Sequence, residues 1–194
     1  MGPEVTDNAP HQATLCSHRA GTGVESELAF GSFVASDCEA AARLKKIVGW
    51  PHRLADWRFG LTHGEGVAAC REGELMGTAM RWRWGERHAA VGMVIVAPPL
   101  QGKGIGRRLM NAVLSGMEDR TLLLHATLQS RALYELFGFR VTGEIRSHQG
   151  VVGPAAMMSS RPAELLRRAG HDDAELLSTL DARAAGMPRS AVIR

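Results

Sequence analysis

The sequence predicts an α/β protein of the α+β kind, with one mixed sheet of about seven strands flanked by four helices. Three observations point there. At 194 residues the chain can bury one proper core but not two. Hydrophobic residues make up 45% and charged residues 22%, the balance of an ordinary globular domain. Finally, apolar periodicity runs strand–helix–helix, then a three-strand meander, then helix–strand–helix–strand–strand. A doubly wound parallel sheet would alternate strictly; this mixed order does not.

Residues 1–26 are rich in Gly, Ser, Thr, Pro and Asn without periodicity and read as a mobile leader. Glu27–Ala35 has strand character. Ser36 or Asp37 supplies a side-chain oxygen to cap a helix, whose apolar face is Ala40, Ala41, Leu44, Ile47 and Val48. Gly49-Trp50-Pro51 stops it, because proline disfavours helix for the residue before it. Arg53–Phe59 is a second helix. Val67–Arg71, Leu75–Trp84 and Ala89–Val96 are strands separated by turn residues at Glu72-Gly73-Glu74 and Gly85-Glu86. Ile105–Met117 is amphipathic, with Ile105, Leu109, Ala112, Val113 and Gly116 on one side. Leu122–His125 is a strand, Gln129–Phe137 a helix, and Phe139–Ile145 and Val151–Met158 a closing pair of strands.

The domain is therefore bounded at 27–160, with a helical extension over 161–194. Within the extension, Asp173-x-Glu175, Leu180 and Gly186-Met187-Pro188 echo Asp37-x-Glu39, Leu44 and Gly49-Trp50-Pro51. A repeat of the first helix with its stop signal is one reading, and chance similarity between alanine-rich helices is the other.

Composition also excludes. No run approaches the roughly 18 apolar residues of a membrane span, and the first residues have no signal-peptide core. Cys16, Cys38 and Cys70 lie far apart, without metal-finger spacing, which predicts neither a disulfide framework nor a metal site and favours the cytoplasm. Net charge is +3 and the sequence pI about 9.1. The excess arginine is spread along the chain, so an anionic small ligand fits better than nucleic acid. Arg81-Trp82-Arg83-Trp84 alternates, which puts arginines on one face and tryptophans on the other; the simplest reading packs the tryptophans under the first helices and leaves the arginines in solvent.

The informative run is Val94 to Leu109: an apolar strand, a Pro98-Pro99 break, a glycine-rich turn and a helix start. Glycines let the backbone approach a ligand and turn successive N–H groups toward one point. A helix N-terminus adds partial positive charge there, and Lys103, Arg107 and Arg108 add full charges. Such a turn suits a diphosphate. A Walker loop would need Ser or Thr after its lysine, where Gly104 stands. A dinucleotide fingerprint would need a wider last glycine interval and an acidic residue ending the next strand, and both are missing. A glycine-rich turn with no ligand would be an unfavourable choice for stability alone.

V-x-V-x-P-x-x-Q-G-x-G-I-G-x-x-L resembles the acyl-CoA-binding motif of the GNAT superfamily, with Gln101, Gly102, Lys103, Gly104, Ile105 and Gly106 at its signature positions. Leu133-Tyr134-Glu135-Leu136-Phe137-Gly138-Phe139 is similar to a second GNAT segment, in which a helix ends and a strand begins. The resemblance covers about Ala29 to Met158. It implies the GNAT fold: a mostly antiparallel sheet splayed between two parallel central strands, Ala89–Val96 and Leu122–His125, with the CoA arm in the gap. Backbone groups along Val94-Ile95-Val96 would pair with pantetheine, N–H groups of Gln101 through Arg107 would hold the pyrophosphate, and Tyr134 would protonate the departing thiolate. It leaves open that the chain is the front part of a tandem-GNAT protein.

The chain departs from that family pattern in two places. The asparagine many relatives carry before the tyrosine is here Thr127, or Gln129. The strand before the glycine turn lacks the glutamate many relatives use on the amine. Glu86, His88 and His125 are the candidate bases; His125 is best placed by topology, and imidazole suits the task, although a buried, hydrogen-bonded histidine is the plainer reading. His148, in the loop between the last two strands, is a further candidate to border the acceptor site. The function expected is acetyl transfer from acetyl-CoA to a primary amine, with no metal, no membrane and no nucleic acid, and with a homodimer left open. A non-catalytic acyl-CoA-binding module is the alternative.

Overall fold

The computed structural model describes residues 28–146, 148, 150, 151 and 167–193. Strand β1 (Ala29–Ser32) leads to helix α1 (Cys38–Ile47) and helix α2 (Leu54–His63). Strands β2 (Glu65–Arg71), β3 (Glu74–Trp84) and β4 (His88–Val96) follow, then helix α3 (Ile105–Leu114), strand β5 (Thr121–Leu124), helix α4 (Arg131–Glu135) and helix α5 (Ala174–Ala185). The strands form one five-stranded sheet in the order β1-β2-β3-β4-β5, mostly antiparallel with β4 and β5 parallel. The chain divides into two compact units. One runs through Trp82 and resumes over Ala90–Asp119; the other joins Arg83–Ala89 to the chain from Arg120 onward.

In the first unit, β1 pairs β2 from Ala29↔Cys70 to Ser32↔Val67. The β2–β3 hairpin closes at Arg71↔Glu74 through Glu72 and Gly73, both at positive φ (53° and 80°). That is the backbone a two-residue hairpin needs to match strand twist. The core gathers Phe33, Leu44, Trp57, Met80 and Ile95 between the sheet and the two helices. Phe33 and Trp57 meet as tilted rings with centroids 5.7 Å apart. Asp37 stands at the start of α1, but its side chain bonds no amide of that helix; its Oδ2 accepts the Val34 N–H at 3.0 Å, at the head of the preceding 3-10 turn, and burial pushes its carboxyl pKa up. The stop is Gly49 at φ 74°, with Trp50 N–H donating back to the Lys45 carbonyl at 3.0 Å.

Trp82 packs under α2 as expected. Its indole N–H donates to the Gly60 carbonyl at 2.8 Å. Arg81 corrects the expectation of a solvated arginine face. Its side chain is only 15% exposed, and its guanidinium donates to the carbonyls of Val113 at 3.0 Å and Ser115 at 2.7 Å. It also pairs with Glu65, its cross-strand partner, at 2.9 Å. A cation that satisfies the last carbonyls of α3 is a helix C-cap. Two further residues expected on the apolar face of α3, Ala112 and Gly116, are exposed; Ile105, Leu109 and Val113 are the buried ones.

The sheet has five described strands rather than seven. Phe139–Ile145 forms no regular strand, and Val141 and Ile145 are exposed. Apolar alternation becomes a strand only when a neighbour completes its ladder, and the segment expected to pair with it, 152–158, lies outside the described residues, as does the leader 1–26. Of the cysteines expected to stay unpaired, Cys38 is a buried free thiol, whereas Cys70 is disulfide-bonded. Among the described residues no helix is long and apolar enough to cross a membrane, and no cluster of three metal-ligating side chains occurs.

In the second unit, α5 follows a short turn in which Asp173 Oδ2 accepts the Gly170 N–H at 2.7 Å. It ends at Gly186 with φ 69°. Leu176 and Leu180 on α5 are 58% and 50% exposed.

The α3 cap carries a prediction. Arg81→Met keeps the aliphatic stem but leaves two carbonyls without their charged donor, and it should destabilise the fold by about 2 kcal/mol in urea titration. Glu65→Gln should change stability by less than about 0.5 kcal/mol, because that carboxylate is more than half exposed.

Candidate functional site

The glycine turn takes its shape from backbone conformations only glycine adopts cheaply. Gly102 and Gly104 have φ of 74° and 77°, and a Cβ at either would meet open space. Conformation, not crowding, demands glycine at both. A short 3-10 turn over Pro98–Leu100 uses the N–H groups of Leu100 and Gln101, which donate to Ala97 at 2.8 Å and Pro98 at 3.2 Å. Among the described residues no backbone acceptor meets the N–H groups from Gly102 to Arg107. The first helical bond is Arg108 N–H to the Gly104 carbonyl at 3.1 Å. The free amides thus begin at Gly102 rather than Gln101, and they continue through the first turn of α3, where a helix leaves its donors unmet.

The flanking charges divide. Lys103 and Arg107 are exposed beside the free amides. Arg108, expected to join them, lies with its guanidinium 4.1 Å from the Phe30 ring centroid. Ile105 is buried and anchors the start of α3 to the core. Gln101 turns back onto the strand, its Nε2 donating to the Val96 carbonyl at 2.9 Å.

Strand β4 contains a feature that sequence reasoning missed. Among the described residues, Met93 and Glu72 are the non-glycine residues at positive φ, and Met93, at 50°, lies inside a strand rather than a turn. The left-handed region costs a residue with a Cβ roughly 1–2 kcal/mol. Its carbonyl accepts a 2.7 Å hydrogen bond from the buried hydroxyl of Thr78, worth about 1 kcal/mol. The two are of the same order, so the kink is held rather than merely tolerated. Val94, Ile95 and Val96 follow directly after it. No composition signal marks Met93, which reads as one more apolar strand residue.

In the second unit, Tyr134 sits on α4 and is 6% exposed. Burial pushes its phenol above the ordinary range, and the Ser130 side chain works the other way. The ring stands edge-on to Phe139 with centroids 6.2 Å apart. Ser130, unremarked in the sequence, ties Tyr134 to Thr127. Its hydroxyl accepts the Thr127 N–H at 3.1 Å and donates to the Thr127 carbonyl at 3.1 Å, which closes the turn just before α4. His125 is exposed just past the end of β5, so the expectation of a buried histidine is corrected. His88 is half-buried at the start of β4, and its carbonyl accepts from Arg120 at 3.1 Å. Glu86 and His148 are exposed.

The family model described as Acetyltransferase (GNAT) family matches residues 36–139, more than half of the chain. The curated protein described as an uncharacterized N-acetyltransferase, YitH, of Bacillus subtilis is 36% identical over 63 residues, which are 32% of this chain and 22% of that protein. The chain thus matches about a fifth of that relative's length. Among solved structures, a probable acetyltransferase from meticillin-resistant Staphylococcus aureus aligns with a TM-score of 0.54 at 19% identity, covering 64% of this chain and 100% of the other. A ribosomal-protein-alanine N-acetyltransferase from Brucella melitensis aligns at 0.51 and 20%, covering 64% and 100%. An aminoglycoside N-acetyltransferase in complex with CoA aligns at 0.53 and 16%, covering 66% and 98%. At these identities the solved structures bear on the fold.

Two measurements check the site's physical chemistry. Gly104→Ala should destabilise by about 1–2 kcal/mol in urea titration, because alanine must adopt the left-handed conformation there. Tyr134 is the only tyrosine in the chain, so phenolate absorbance reports it alone. With burial holding the folded phenol above its ordinary range, the unfolded chain releases the phenolic proton first. That contribution to stability is intact below about pH 10 and is lost as pH rises further. Urea titrations at pH 8 and pH 10.5 should show a drop that Tyr134→Phe reduces.

Proposed function

Because the chain belongs to the GNAT acetyltransferase family, we propose that it transfers an acetyl group from acetyl-CoA to a primary amine by direct attack in a ternary complex. The observation that carries this reading is the row of amides from Gly102 to Arg107 at the head of α3, which meet no backbone acceptor among the described residues. Backbone donors turned to one side by left-handed glycines, with Lys103 and Arg107 beside them, suit the charge and width of a pyrophosphate. Upstream, Val94 and Val96 would pair with the pantetheine amides as an added strand does. The Val96 carbonyl has a second lone pair beyond the one Gln101 engages.

In the proposed step the neutral amine attacks the thioester carbonyl. Backbone N–H near Val96 stabilises the oxyanion. The C–S bond breaks as the amide forms, and Tyr134 donates its proton to the thiolate. A phenol that burial keeps protonated suits that role. The proton released by the amine passes to His125 or to water, His125 being exposed and therefore free to exchange it. Thr127 would contribute at the cofactor from the hydrogen-bonded turn it shares with Ser130.

We place the acetyltransferase domain at 27–160 and read 161–194 as an extension. The turn–helix–stop of α5 repeats the device of α1 in detail: an aspartate capping a preceding amide, then a helix, a left-handed glycine and a proline two residues on. This favours the tandem reading of the extension over chance similarity. A homodimer remains the alternative use of the exposed α5 leucines.

The test is free-thiol release from acetyl-CoA with a panel of primary amines, beside thermal stabilisation by acetyl-CoA. Stabilisation with amine-dependent release is the expected result. Stabilisation without release on any amine selects a non-catalytic acyl-CoA-binding module, and no stabilisation rejects both. Tyr134→Phe should lower kcat by about a hundredfold or more while changing CoA affinity little.

A further inference from the structure

Three consecutive residues of β3 hold the kinked end of β4. The Met76 carbonyl accepts the Ala97 N–H at 2.8 Å, just past the last residue of β4. Thr78, fully buried, donates its hydroxyl to the Met93 carbonyl at 2.7 Å. Between them, a Cβ on Gly77 would stand 3.0 Å from the Ile95 carbonyl oxygen and 3.0 Å from Leu109 Cδ1. Gly77 therefore admits the Ile95 backbone and the α3 side chain to one spot, a common use of glycine inside a strand. A side-chain hydroxyl at Thr78 engages a carbonyl of the left-handed residue. A kink of this kind re-aims the residues that follow it, and those residues are Val94 to Val96.

We propose that Gly77 and Thr78 are positioning residues: a hydroxyl-and-glycine clamp on β3 that fixes the left-handed bend at Met93 and thereby aims the Val94–Val96 backbone for its ligand. The inference rests on the proposed function for what that backbone receives, and on the geometry alone for the clamp. Valine in place of Thr78 has nearly the same shape but no donor, so it leaves the Met93 carbonyl without its partner. Serine keeps the donor. Alanine at Gly77 keeps the hydroxyl but wedges β4 away from β3.

The test measures two things on the full chain: amide hydrogen exchange across Met93–Val96 in ligand-free protein, and the Kd for CoA. Leu75→Ala, in the core at the start of β3, serves as a comparably destabilised reference. Thr78→Val should speed exchange in that segment about tenfold and weaken CoA by about five- to tenfold, the scale of one lost hydrogen bond. Thr78→Ser should stay within about twofold of the unmodified chain on both readouts, well under one hydrogen bond. Gly77→Ala gives an independent route should Thr78→Val not fold, and it should weaken CoA by a similar factor. If Thr78→Val matches Leu75→Ala on both readouts, or if Thr78→Ser behaves as Thr78→Val does, the clamp is overturned. Absence of CoA binding by the unmodified chain would overturn the proposed function instead, and exchange in the ligand-free protein would still decide the clamp.

Discussion

A strand that is to present its backbone in the way proposed must bend at a defined point and be held firmly there. In this chain that point is Met93. Its left-handed φ is unfavourable for a residue with a side chain, and it persists because the surrounding β3 residues fix it. Thr78 engages the carbonyl, Met76 catches the chain again at Ala97, and Gly77 supplies the room between. The direction of everything downstream, from Val94 to the glycine turn, is set there.

Helix α3 is the second half of the same device, and its two ends are treated oppositely. At the N-terminus the donors are left free. Gly102 and Gly104 bend the backbone so that the amides emerge without a backbone acceptor among the described residues, while Ile105 and Leu109 root the helix in the core. At the C-terminus the acceptors are satisfied by Arg81, a charged donor from β3 held by Glu65. The helix is closed at its C-terminus and open at its N-terminus, and one strand contributes both the clamp and the cap.

The second unit is organised around a hydroxyl. Ser130 closes the turn before α4 through Thr127 and lies against the phenol of Tyr134. Burial of that phenol favours its neutral form, as the proposed proton transfer requires. Helix α5 is a contrast. Its cap and stop match those of α1, yet leucines at the positions equivalent to the buried Ala41 and Leu44 face outward. The same local code that builds a core helix in the first unit leaves an apolar face open in the second.

The sequence by itself determined the local and contiguous parts. Element order, the Glu72-Gly73 turn, the Gly49 and Gly186 stops and the strand–turn–helix from Val94 to Leu109 are all written in neighbouring residues, and the family resemblance rested on that last run. Only the tertiary structure decided whatever depends on residues distant in sequence. Arg81 reads as a surface charge until α3 ends beside it. Thr78 reads as strand filler until Met93 bends toward it. Arg108 reads as one more charge around the glycine turn until Phe30 takes its guanidinium. Phe139–Ile145 alternates like a strand, but a strand exists only when another chain segment completes its ladder. Side-chain type and spacing encode torsion preferences and periodicity, whereas hydrogen-bond partners and burial belong to the pair of segments that meet, and no single stretch of sequence contains both.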